Sequence, residues 1–389
     1  MRLAAALLLA CAAPALCQGD ALVLRAFEQP PAGQPMGVGP QGVQVRSPQG
    51  DVVVVGWDRV LQLPAALAEA GEAFEELSRE SWRARARIER GDLVLAEPVL
   101  QGLFEESRSG DLALRGPTGL VVAEGLLRCR LARGASAAAI EPWLAWLDSA
   151  IVRQPRTTYA HRTWAQEAGL PTVVDPATEL CPLLPPMWLA TPSLQLTLHY
   201  EPIEGERDKA TAMRALYQAA ARHELGQQVA ALPDVPREAA TELVRDIVAS
   251  RVLDASGRTT ARARLEAALP SATAPWLSAW IRAAIGRSLV LESEEELRLR
   301  GIAQLLRVHV LHREDSPYLA DICLAEAAAT LESMGQGDAA RRLARELSRA
   351  SSQSPVLSWP PVAELLAGAA PAASTEAPLD DTSTVGGPP

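Results

Sequence analysis

Two hydrophobic periods follow one another along the chain. In GVQVRSPQGDVVVVGWDRVLQL (42–63), Val43 and Val45 alternate with polar residues, a Ser-Pro-Gln-Gly turn comes next, and then four valines. Alternation puts successive side chains on opposite faces of a strand, so this stretch predicts a β-hairpin with a further short strand after Trp57-Asp58. Upstream, ALVLRAF (21–27) offers one more strand, and EQPPAGQPMGVGPQG (28–42) reads as a loop. Three or four such strands bury too little to stand alone, so the element must lean on a neighbour, with Trp57 the plug against the first helices.

From Pro64 the period becomes helical. Leu67, Ala70, Phe74 and Leu77 recur at three- and four-residue spacing. Ala84 and Ile88 continue along one edge, while Trp82, Ala86 and Glu89 lie on another. Gly91 ends the run, because a left-handed stop is least strained at glycine, and Asp92 can cap the next helix.

The same phrase is then repeated. Gly91 and Gly134 lie 43 positions apart, Glu97 and Glu141 lie 44 apart, and each glutamate precedes a proline, Pro98 or Pro142. Helix, glycine stop and immediate restart predict a helical hairpin, and two hairpins on one period predict a stack of helical repeats. Each proline lacks a backbone donor, so each second helix is expected to kink there or to begin there.

Residues 153–205 interrupt the pattern. The stretch 170–202 carries seven prolines, too many for a helix, yet Val173, Val174, Leu183, Leu184, Met187, Trp188 and Leu189 make it too apolar for a free linker. It reads as an ordered extended segment lying across the helices, with a strand at 194–200, and as the best candidate contact region. Helices resume after Arg207, over 208–232, 236–253, 259–269, 274–286 (stopping at Gly286) and 293–312, the last with Ser293 and Glu296 in capping-box spacing. The final hairpin opens at Ser316-Pro317, carries the stripe Leu319, Ile322, Cys323, Ala327 and Leu331, and turns at Gly335-Gln336-Gly337. It returns with Leu343, Ala344 and Leu347.

The expected fold is therefore mainly α: a helical-hairpin repeat array, solenoid-like, with a small N-terminal β-sheet element. Its divisions are a signal peptide (1–17), the β element (18–63), helical hairpins (64–152), the Pro-rich connector (153–205), further helical repeats (206–351), and a short helix near 361–368 with a disordered tail (352–389). Residues 81–107 and the final hairpin resemble the tetratricopeptide repeat. Gly91-Asp92 followed by Ala96, Leu100 and Leu103 matches that family's inter-helix turn and its small-then-large second helix, and Trp82 stands near its first-helix aromatic. The period departs from that family's roughly 34 residues, and the Glu-Pro is foreign to it. The resemblance covers about a third of the chain and implies a protein-binding scaffold.

Composition narrows the reading. Hydrophobic residues make up 48% of the chain and aromatics 4%, with Ala and Leu dominant, which favours helices. A net charge of −10 argues against nucleic acid as a partner. Arg83, Arg87 and Arg90 share a helical face, but a solvated face explains them. Lys209 is the only lysine, so lysine-based clamps for peptide tails are not expected. Arg2 and the apolar stretch Leu3–Cys17 predict a cleaved export signal, with its exit at Ala13-Pro14-Ala15 or Ala15-Leu16-Cys17. A lipid anchor at Cys11 is the weaker reading, and no later stretch is apolar enough to span a membrane. Cys129, Cys181 and Cys323 remain, an odd number. Cys129 and Cys323 read as core residues, with a pairing of Cys181 left open.

Candidate chemistry is sparse. His223-Glu224-Leu225-Gly226-Gln227 starts like a zinc-protease helix but has Gln where the second imidazole belongs. His309 and His312, followed by Glu314 and Asp315, have spacing that could hold a divalent ion or simply suit a helix C-terminus. The Glu294–Glu296 run reads as a charged first turn, and Glu97 and Glu141 as structural. Trp143 with Trp146, and Trp276 with Trp280, read as core pairs that would suit sugar stacking only if exposed. The expectation is an exported, non-enzymatic scaffold that binds a protein or peptide, with no cofactor, metal or catalytic residue. The alternative is a metal-dependent hydrolase or carbohydrate-binding protein whose site assembles only in three dimensions.

Overall fold

The computed structural model describes residues 21–109, 116–150, 164–199, 208–229 and 231–368. The expected signal peptide and C-terminal tail lie outside those residues. The chain divides into two units. One runs to Pro186 and includes Ser193–Val248; the other comprises Met187–Pro192 and the chain from Ala249 onward.

The first unit begins with the small β element. Strand β1 (Val23–Leu24) pairs antiparallel with β5 (Val60–Gln62), while β2 (Gln34–Gly39), β3 (Gly42–Arg46) and β4 (Val52–Val55) form a three-stranded antiparallel meander. The hairpin and the strand after Trp57-Asp58 match the alternation. Strand β2 falls where the sequence reads as loop. It is an edge strand, its register shifts between Pro35 and Gly37, and an edge with a bulge tolerates a proline that a central strand would not. Trp57 is buried and stacks on Phe74 with ring centroids 5.0 Å apart. Its Nε1 donates to the Gly39 carbonyl (2.8 Å), and its backbone N–H donates to Thr118 Oγ1 (3.0 Å), so it plugs the sheet against the helices.

After a broken start around α1 (Ala68–Gly71), the first long helix is α2 (Glu75–Glu89). It buries Leu77, Ser81, Ala84 and Ile88, one stripe at helical spacing. Helices α3 (Leu93–Ser109), α4 (Gly116–Ala132) and α5 (Ser136–Ala150) come next, each packed on its predecessor. The glycine stops are as expected. Gly91 and Gly134 have φ of 82° and 72°. Beyond each glycine a backbone N–H reaches back five residues, Asp92 to the Arg87 carbonyl (2.8 Å) and Ala135 to the Arg130 carbonyl (2.9 Å), closing the helix end.

The prolines do not start the second helices. Those begin at Leu93 and Ser136, and Pro98 and Pro142 lie inside. A proline inside a helix leaves a carbonyl four residues earlier without its partner. For Pro142 that carbonyl is Ala138's, and the Arg130 guanidinium from the preceding helix donates to it. Counted from the glycine, the equivalent bond in the first hairpin is from Arg87 Nη1 to the Leu95 carbonyl at 2.8 Å, one residue past the position four before Pro98. Thus the repeated phrase carries a repeated clamp, an arginine four residues before the glycine reaching eight residues ahead.

The described part of the Pro-rich segment is ordered, as expected, but most of its apolar side chains are buried, Leu183 being exposed. After the short α6 (Trp164–Glu167), Val174, Leu180, Cys181 and Leu184 are buried. Helical side chains tie its backbone down. Arg128 donates to the Pro171 carbonyl (2.8 Å), Trp143 Nε1 to that of Glu179 (3.1 Å), and Tyr217, from α7 (Asp208–Glu224), to that of Leu184 (2.5 Å). The expected strand at 194–200 is instead a 3-10 helix over Pro192–His199. Among the described residues every strand lies within the N-terminal β element and is paired there, so this backbone turns to local bonding.

Helix α8 (Ala239–Val252) carries the chain from one unit into the other. The second unit continues with α9 (Ala255–Ala268), α10 (Pro275–Leu289), α11 (Glu295–His312), α12 (Pro317–Ser333), α13 (Gly337–Ala350) and α14 (Pro360–Ala367), and α10 to α13 pack each on the next. Two expectations fail here. Helix α10 runs through Gly286 to Leu289. This glycine serves packing: a Cβ on it would sit 2.8 Å from Leu305 Cγ and 3.1 Å from the Gly301 carbonyl oxygen. Reciprocally, a Cβ on Gly301 would meet the Val290 backbone nitrogen at 2.9 Å. The two glycines let α10 and α11 approach with little between them. Nor does the capping box form, since α11 starts at Glu295 with Glu294 at the cap and no side-chain cap bond. The last hairpin turns at Gly335 (φ 76°) as expected.

Candidate functional site

Several charged side chains inside these helical units are paired. In the second unit Arg287 and Glu326 are 3% and 4% exposed, deep in otherwise apolar helix faces. Arg287 grips the Glu326 carboxylate through Nε (2.7 Å) and Nη2 (2.9 Å), and Nη2 also donates to the Trp188 carbonyl (2.7 Å). Arg251 completes the set, with Nη2 on Glu326 (3.1 Å) and Nη1 on the Arg287 carbonyl (3.1 Å). Burying charge this deeply is tolerable only with such mutual satisfaction.

A second network occupies the first unit. Buried Asp58 meets Arg85 at 2.8 Å; Arg85 also meets Glu89 at 2.8 Å, and Arg59 is paired with Glu28. Partial burial raises the Glu167 carboxyl's pKa, while Arg59 and Arg85 pull it down. Lys209 meets Glu179 at 2.8 Å and Glu238 at 2.9 Å. Burial opposes its charge, but those carboxylates outweigh that and raise its pKa. Glu179 itself sits at φ 60°, a left-handed conformation held in place by these contacts.

Within each unit, the residues singled out from sequence do not gather into one site. Glu97 pairs with Arg133 (2.9 Å) and Glu141 with Arg108, so these equivalent glutamates tie neighbouring helices together. Arg83 pairs with Glu80 (2.8 Å) and Arg90 with Asp92 (3.5 Å). His223 and Glu224 end α7, a separate helix from the one carrying His309 and His312. Among the described residues no group of three or more His, Cys, Asp or Glu side chains could hold a metal ion. Trp143, Trp146 and Trp280 are buried, and the half-buried Trp276 meets Trp280 edge-on at 5.1 Å, so neither pair is an open stacking platform. All three described cysteines are free and buried. Burial pushes the Cys129 thiol up to about 11 and Cys181 up to about 12, which suppresses the thiolate.

Among the described residues the four most exposed large hydrophobic side chains lie on helices. Val94 and Leu95 on α3 are 85% and 59% exposed, and Val310 and Leu311 on α11 are 75% and 60% exposed. Sequence reasoning missed these, because each lies within an apolar run that reads as buried. It also missed the ion triad, although an arginine and a glutamate set inside Ala- and Leu-rich helices were a visible signal. No protein-family model matches this chain, and neither does any curated protein or solved structure.

Proposed function

We propose that this chain is an exported, non-catalytic scaffold of tetratricopeptide-like helical hairpins that binds a protein or peptide. The observation that carries the reading is the pair of exposed apolar sites, Val94-Leu95 and Val310-Leu311, on helices whose other faces are packed into consecutive hairpins. Large aliphatic side chains on a rigid helical framework are what a partner helix or extended peptide can cover. Paired charges inside the units support a structural role for those groups, and the N-terminal Arg2 followed by Leu3–Cys17 supports export.

Photo-crosslinking side chains placed at positions 94 and 310 test this in cells. The expected result is a discrete adduct with one protein at either site, lost when Val94-Leu95 or Val310-Leu311 is changed to serines while the fold is retained. Adducts no more abundant than at an exposed control position, such as Glu332, would contradict it. Mass measurement of the mature N-terminus checks export, with cleavage expected after Ala15 or Cys17.

A further inference from the structure

At the end of α11 two half-buried imidazoles turn three of their four ring nitrogens inward without a hydrogen bond. His309 Nδ1 and both nitrogens of His312 are shielded from solvent and make no hydrogen bond, as is Ser316 Oγ at the start of α12. An unsatisfied neutral imidazole in such a place is a modest penalty, whereas an unsatisfied imidazolium is a large one. The opposite happens elsewhere in the same unit, where Glu326 is satisfied by two arginines.

The surrounding charges come from four elements. Arg282 on α10 acts on His312 and opposes its protonation, while Asp315 in the turn favours it, with Asp315 Oδ2 4.0 Å from His312 Nδ1. Arg313, which caps α11, opposes protonation of His309; Asp321 on α12, Glu346 on α13 and a backbone hydrogen bond at Ala320 favour it. Arg313 is itself committed to Ser351 Oγ (3.0 Å), and that hydroxyl donates to Asp321 (2.9 Å). Both the α11 end and the Asp321 carboxylate are therefore fixed by the C-terminal end of α13. Burial is the largest influence on each histidine and depresses both imidazole pKa values.

We propose that His309 and His312 form an acid-sensitive latch on the α11–α12 turn, closed while both rings are neutral and loosened when they take up protons. The sign is set by linkage. A group whose pKa is depressed in the closed form binds protons more readily when the turn opens, so the latch is fully effective above the free imidazole value of about 6.5. It weakens as pH falls through that value and then through the lower, closed-state value. Each unit by which burial depresses a ring's pKa shifts the open-to-closed ratio about tenfold once both values are passed. Opening would release the turn beside the exposed Val310 and Leu311, coupling pH to that apolar surface.

The test uses the full-length protein and two readouts. Histidine ring proton shifts, followed by NMR from pH 8 to 5, should place His309 and His312 below about 6.5. Amide exchange at 309–320, corrected for its intrinsic pH dependence, should lose protection progressively over that range, with that of α9 unchanged. In His309→Gln and His312→Gln each loss should shrink, and in the double variant it should vanish. If the double variant does not fold, the single variants and the ring titrations decide. Rings titrating at or above the ordinary value, or an acid response undiminished in the glutamine variants, would overturn the latch.

Discussion

The two helical units contrast in what joins neighbouring helices. In the first, side chains meet across the junction: Ile88 and Leu100 close over Gly125, Leu126 and Trp143 fill the space, and arginines clamp the backbone near Pro98 and Pro142. In the second, α10 and α11 come together by removing side chains at Gly286 and Gly301, and a buried Arg-Glu-Arg set spans α8, α10 and α12. The same turn chemistry serves both, with Gly91, Gly134 and Gly335 all left-handed. One kind of hairpin therefore accommodates two kinds of lateral packing, and the turn does not dictate the interface.

Perturbations ranked by size should separate these modes. The largest is expected from Glu326→Ala, which leaves the buried Arg287 guanidinium and the partly buried Arg251 without their shared carboxylate and should destabilise the second unit by about 3–5 kcal/mol. Replacing all three charges together (Arg251→Met, Arg287→Met, Glu326→Leu) should recover most of that loss, because charge desolvation disappears with the charges. Denaturant unfolding monitored by hydrogen exchange in α10 and α12 checks both. Next is Gly301→Ala, whose Cβ would press on the Val290 backbone nitrogen; about 1–3 kcal/mol is expected, read the same way. Gly134→Ala should cost the first unit about 1–2 kcal/mol, from left-handed backbone strain rather than from a clash, since nothing lies within 4 Å of the added carbon. The smallest is Arg83→Ala, an exposed ion pair, expected to change stability by less than about 0.5 kcal/mol. Equal effects for Gly301→Ala and Gly134→Ala on both units would erase the contrast.

This ranking also explains which features could be read in advance. Turn glycines were legible because a helix stop is a local event, decided by one residue's backbone and the bonds around it. Gly286 looked the same in sequence and proved to be a contact, because the deciding partner, Leu305, lies in another helix. Strand β2 was hidden by its own prolines and glycines, acceptable only because it lies at an edge. The inward orientation of the 170–189 segment was foreshadowed by Val174, Leu184 and Trp188, but the Trp143, Tyr217 and Arg128 donors that fix it come from distant helices. His309 and His312 were visible as a pair. Which of their nitrogens find a hydrogen bond depends on what α12 brings against them, and no period or spacing encodes that.

Everything rests on the hairpin built from α2 and α3 lying against α4. Gly125 sits at that junction, with the position of a Cβ on it 2.9 Å from both Ile88 Cδ1 and Leu100 Cδ1. Methyl-selective labelling of isoleucine and leucine, combined with nuclear Overhauser spectroscopy, reads it directly. Strong cross-peaks from the Ile88 and Leu100 methyl groups to the Gly125 α-protons are the predicted result. Silence between these methyls and Gly125, in a protein whose α2 and α3 amides are well protected, would show the hairpins to be unstacked.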